Sequence, residues 1–167
     1  MACPFFVPTE RADDLALPHL ARLPLGTAWR GVCGVPEHKH DVLENHDLES
    51  CNLGYALSCS RLPEKRTCDA VRFGVVKESA INILVQVVFE AQHRPAGLDS
   101  LEYDLTSNTW NRPHIDARVQ TQAQCFLQAH LERRVLRSHC GGAHNQEKTF
   151  TTGDTESTER AYNHGND

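Results

Sequence analysis

Ala70-Val-Arg-Phe-Gly-Val-Val-Lys-Glu-Ser-Ala-Ile-Asn-Ile-Leu-Val-Gln-Val-Val-Phe-Glu90 is the stretch that decides the fold. Val71, Phe73 and Val75 alternate with Arg72 and Gly74, the polar run Lys77-Glu78-Ser79 suits a turn, and Ile81, Ile83, Val85, Val87 and Phe89 alternate again. Side chains two apart share one face of a strand, so the pattern predicts two antiparallel strands joined by a short turn. Leu84 and Val88 put apolar groups on the other face of the second strand as well, which predicts a central place in its sheet. The two strands lie too close in sequence for a helical crossover, which excludes a parallel pair.

Downstream, Gln92-His-Arg-Pro-Ala-Gly97 reads as a loop, and Leu101, Tyr103 and Leu105 as a third strand. Beyond Asn111-Arg-Pro113, Val119, Ala123, Phe126, Leu127, Leu131 and Val135 recur at helical spacing, predicting one amphipathic helix from about His114 to Ser138. Arg133, Arg134 and Arg137 suit the negative end of its dipole, and Gly141-Gly142 can end it. Residues 142–167 hold five acids against Lys148 and Arg160, with Phe150 and Tyr162 as the only large apolar groups. Two such side chains cannot offset the entropy of ordering, so an acidic disordered tail is expected.

Upstream, Pro4, Pro8, Pro18, Pro24, Pro36, Gly26, Gly31 and Gly34 break the chain too often for long elements. Phe5, Phe6, Leu15, Leu25 and Trp29 nevertheless need a surface to pack on. The expectation is an irregular arm wrapped over the body. Asp47 reads as the cap of a short helix reaching about Leu57, with Leu48, Cys51 and Tyr55 on one face. The fold class that follows is α+β: a small antiparallel β-meander of about three strands packed by one long helix in the C-terminal half. It comprises an irregular Cys/His-rich arm over 1–69, the meander and helix over 70–141 within the same domain, and the tail over 142–167.

The formal charge of the 167 residues is -5. The tail carries much of it, leaving a body without the basic footprint of a nucleic-acid binder. Met1 to Glu10 lacks a basic leader segment, and no stretch approaches the roughly 18 apolar residues of a membrane span. A cytoplasmic protein is expected, with another protein as its partner. Neither a phosphate-binding G-x-x-x-x-G-K-[ST] nor G-x-G-x-x-G, H-E-x-x-H or G-x-S-x-G occurs, so no reaction is specified.

Seven cysteines make an odd number, and in a reducing compartment they point to packing, metal ligation or redox chemistry rather than a disulfide framework. Cys33 to Cys59 holds three Cys and three His, about twice the density of the whole chain. With Cys3, the thiols Cys3, Cys33, Cys51 and Cys59 number four, enough for a tetrahedral zinc site or for one ligand to each iron of a [4Fe–4S] cube. Structural zinc favours tight C-x₂₋₄-C knuckles, which are absent, whereas a wider cube accepts ligands from separated loops. Common cluster spacings such as C-x₂-C-x₂-C are absent too.

The sequence therefore predicts an iron–sulfur cluster on Cys3, Cys33, Cys51 and Cys59, in an accessory or electron-transfer role. Two alternatives stand beside it. His38 and His40, completed by His46 or Cys33, could supply a mixed site for zinc or another borderline metal, pinning the arm of a protein-interaction module. In a metal-free module the cysteines are instead small buried hydrophobes. Cys68, Cys125 and Cys140 are set apart: Cys68 as a possible substitute for Cys3, Cys125 as part of the long helix, and Cys140 beside the tail.

Overall fold

A computed structural model describes residues 1–17, 23–39, 41–54 and 59–140. Its elements are β1 (Phe6–Arg11), β2 (Trp29–Cys33), a 3₁₀ turn (Pro36–His38), α1 (Asn45–Leu53), β3 (Ala70–Glu78), β4 (Asn82–Ala91), β5 (Arg94–Asp104), β6 (Thr109–Arg112) and α2 (Ala117–Cys140). The class is α+β, as the sequence predicts.

Strands β3 to β6 form an antiparallel sheet in chain order, so β4 is interior, as its two apolar faces imply. Val71 pairs with Phe89, Phe73 with Val87 and Val75 with Val85, which gathers the alternating side chains onto one buried face. Val71, Ile83, Val85, Val87 and Leu101 are fully buried there. Ile81 is not a strand residue: it lies in the turn and is 61% exposed, with β4 beginning one residue later.

The meander has four strands rather than about three. Thr109-Trp-Asn-Arg112 has a single large apolar residue and therefore no alternation to read. Trp110 pairs with Tyr103 and meets its ring edge-on at 5.2 Å. β5 also begins earlier than predicted, at Arg94. Gln92 and His93 both have positive φ, 49° and 60°, and form a two-residue hairpin turn of the kind that matches strand twist. The first part of β5 is exposed, so its Arg-Pro-Ala carries no apolar pattern.

The arm is less irregular than expected. β1 and β2 pair as an antiparallel ribbon, and Pro8 sits beside the register shift between Pro8 and Glu10, where a missing N–H is tolerated. Helix α1 starts two residues before Asp47: Glu44 is the cap, and Asp47 takes the reciprocal place in a capping box, accepting from the Glu44 amide at 3.1 Å. It ends at Leu53, short of Leu57, because Gly54 turns the chain at φ +66°. A Cβ on Gly54 would sit 2.7 Å from the Met1 carbonyl oxygen. Tyr55 and the tail lie outside the described residues.

Arm and body share one core. Ala2 exchanges backbone hydrogen bonds with Val71 at 2.7 and 2.9 Å. Helix α2 packs mainly on β1 and only lightly on β3. Val119, Ala123, Phe126 and Leu127 are buried as the spacing predicts, together with Phe6 and Leu25 from the arm. Val135 has the same spacing but is 56% exposed, because the end of α2 runs past this core. Among the described residues no helix is long and apolar enough to cross a membrane.

Candidate functional site

Four separate segments carry Cys3, Cys33, Cys51 and Cys59 to the wall of a single cavity of about 20 Å³. Cys3 lies between the Ala2 bridge and β1; its amide donates to the Cys51 carbonyl at 2.9 Å, and its own carbonyl accepts from Phe6 at 3.1 Å. Cys33 ends β2 in register with Phe6, and the next amide, of Gly34, donates to the Phe5 carbonyl at 2.6 Å. Cys51 sits in the last turn of α1. Cys59 opens a turn in which its carbonyl accepts from Leu62 at 3.2 Å.

Asn52, 1% exposed and next to Cys51, ties α1 to β2. Its Oδ1 accepts from the Trp29 amide at 3.0 Å, while its Nδ2 donates to the carbonyls of Trp29 at 2.9 Å and Leu48 at 2.8 Å. The strand ending at Cys33 and the helix bearing Cys51 are thus held together by one amide side chain.

Phe5, Val35, Leu43, Leu62 and Arg61 complete the lining, which is almost wholly apolar. Cys3, Cys33 and Cys51 are buried and Cys59 is half-buried. Burial pushes the Cys3 thiol up from 9.0 to about 11, and the neighbouring Cys33 and Cys59 push the same way. The Cys51 thiol is raised further, first by burial and then by Cys3, Cys59 and Cys33. Cys33 is raised by burial as well. As bare thiols, the buried three hold their protons at neutral pH.

Opposing this, backbone amides donate to sulfur: Phe5 and Phe6 to Cys3, and Val35 to Cys33. Two cations stand close. Arg61, paired with Asp41 and Asp47, favours a Cys33 thiolate. Arg118 lies within electrostatic reach of Cys3, with its guanidinium 5.0 Å from the centre of the Phe5 ring. Amide donors and guanidinium charge are the groups that lower the cost of buried thiolate.

Of the predicted histidines, His38 and His46 do not line this cavity. His38 bonds Asp41 at 2.9 Å, His46 lies largely exposed beside Glu44 and Asp47, and His40 lies outside the described residues. Cys68 lines a different cavity, and Cys125 is buried within α2. Among the described residues no group of three or more His, Cys, Asp or Glu side chains is arranged to hold a metal ion. Arg61, Arg118 and Asn52 carry no signal in the sequence, since isolated polar residues outside a motif have no spacing to read. No protein-family model, curated protein or solved structure matches the chain.

Proposed function

We propose that Cys3, Cys33, Cys51 and Cys59 hold an iron–sulfur cluster, and that the protein serves in electron transfer or as an accessory to a partner protein. The observation that carries this reading is that four thiols, from four segments spread over 57 residues, line one apolar cavity. A single zinc ion needs its four sulfurs about 2.3 Å from one point. A cube takes one thiolate at each iron, so its ligands can come from four separated segments such as these. Sulfur-directed amides favour bound thiolate, and among the described residues of the lining there is no imidazole. The cavity is smaller than a cube, so loading requires the half-buried Cys59 and its turn to move outward.

Anaerobic purification with iron, sulfide and zinc analysis tests the proposal. About four irons and four sulfides per chain, with broad absorbance near about 400 nm, are expected. Zinc without sulfide would replace the cluster by a structural zinc ion. A folded, colourless, metal-free protein would leave the cysteines as core.

A further inference from the structure

Phe5 also lines a second and larger cavity, of about 360 Å³, where the loop before β3 meets β4 and the start of α2. Its walls divide by chemistry. Pro4, Phe5, Phe89 and Val119 supply apolar surface, while Lys65, Arg66, His114 and Arg118 supply hydrogen-bond donors.

Acceptors are scarce. Among the described residues of the lining Asp116 is the only carboxylate, and Arg118 engages both its oxygens, Nε to Oδ1 at 3.0 Å and an Nη to Oδ2 at 2.6 Å. Arg66 gives Nε to Asp69 and one Nη to the Pro63 carbonyl, leaving its second Nη unspent. Lys65 has no carboxylate partner among the described residues. His114 is already engaged: its Nδ1 accepts from the Asp116 amide at 2.9 Å, and its Nε2 faces Asp99 Oδ2 at 3.7 Å. Lys65, the second Nη of Arg66 and the outer Nη of Arg118 therefore leave one end of the cleft with donors that find no carboxylate among the described residues.

We infer that this cleft binds a small organic anion, a carboxylate carried on a flat unsaturated or aromatic skeleton. The carboxylate meets Lys65, Arg66 and the outer edge of Arg118, and the skeleton lies against Phe5 and Phe89. Charge-assisted bonds to guanidinium and ammonium groups are the strong kind, and an apolar wall adds affinity that a bare inorganic anion cannot use. The volume lies at the low end of small-molecule sites, about 300 to 1,000 Å³, and suits a metabolite rather than a dinucleotide. None of the four clustered thiols other than the neighbour of Pro4 adjoins this cleft in sequence, and the inference holds whether or not a cluster is bound.

The test is an NMR titration of the isotope-labelled full chain, as purified, with benzoate, benzyl alcohol and inorganic phosphate in turn. Benzoate is expected to give saturable shifts of the amides of Arg66, Cys68, His114 and Arg118, with phosphate at least about tenfold weaker and benzyl alcohol without saturable effect. Lys65→Glu, at an exposed position that threatens no packing, is expected to raise the benzoate Kd by about tenfold. Lys77→Glu, at the other end of β3, is expected to leave it unchanged. Failure of benzoate to saturate these amides overturns the inference. So does an equal response to benzyl alcohol or to phosphate, or a Kd that Lys65→Glu does not move. A colourless preparation that still binds benzoate would remove the cluster and keep this site.

Discussion

Gln122 of α2 reaches across 119 residues to donate from Nε2 to the Cys3 carbonyl at 2.8 Å, and shares the same nitrogen with the Phe6 carbonyl at 2.7 Å. The arm segment that carries the first thiol is thereby tied to the helix. Replacing Gln122 by Leu takes the side-chain donor from the Phe6 carbonyl, at about 1–3 kcal/mol, and leaves the Cys3 carbonyl only the Phe6 amide, but also removes an Oε1 that finds no partner. A net loss of about 1–2 kcal/mol is expected, read as a lower urea midpoint with an unchanged m-value. Gln122→Glu should be worse at neutral pH, because a buried carboxylate would face two carbonyl oxygens. It should recover in part on acidification as that carboxylate is protonated.

Asn52 does for Cys51 and Cys33 what Gln122 does for Cys3. Asn52→Leu keeps the volume but leaves the amide and carbonyl of Trp29 without their partner, a cost of about 2–4 kcal/mol. Because the same bonds hold α1 against β2, the proposed cluster predicts that the variant also retains less iron per folded chain than wild type. Unchanged metal content beside a lower urea midpoint would show that Asn52 supports the fold without positioning the thiols.

The buried thiols give the metal-free protein a pH dependence of definite sign. Cys3 titrates at about 11 in the folded chain against 9.0 when exposed, so above pH 9 the unfolded state releases a proton that the folded state keeps. Stability from this source is complete below about pH 9 and is lost as pH rises through about 11. Cys51 and Cys33 act in the same direction. Urea midpoints should fall across that window, and Cys3→Ala should flatten the slope. A midpoint that rises with pH would mean the thiols are ionised in the folded protein.

The same physics explains what could be read from the sequence. Alternation in Val71 to Phe89 and helical spacing in Val119 to Leu131 report sides of long, regular, half-buried elements, and both survive in the structure. β6 and the start of β5 escape because exposed strands are not required to alternate. The β1–β2 ribbon escapes because Pro8 at a register shift looks like an element breaker. The thiols could be counted but not placed, since loops between them set their approach. The Asn52 and Gln122 ties are single long-range contacts that leave no periodic trace.

Gly54 limits how closely the N-terminus can lie on α1. Its φ of +66° is strained for any other residue, and an added Cβ would lie 2.7 Å from the Met1 carbonyl oxygen. Gly54→Ala should cost about 1–3 kcal/mol and loosen the segment from Met1 to Cys3, visible as faster amide exchange at Ala2 and Cys3. Exchange unchanged at these two amides would place the strain within α1 alone.

Cysteine substitutions separate ligands from packing residues by two independent readouts. Cys125 is buried within α2, away from the thiol cavity, so Cys125→Ala should cost about 1 kcal/mol through lost packing and leave iron content and the visible spectrum unchanged. If the proposed cluster is present, Cys51→Ala should lower iron content and weaken the visible band, because three thiols leave one iron of a cube without protein ligation. Cys59 is half-buried and sits on a turn, so Cys59→Ser should retain a weakened, shifted band as a serine oxygen takes the fourth place. If Cys125→Ala and Cys51→Ala lower iron content equally, the metal is not held by the four-thiol cavity.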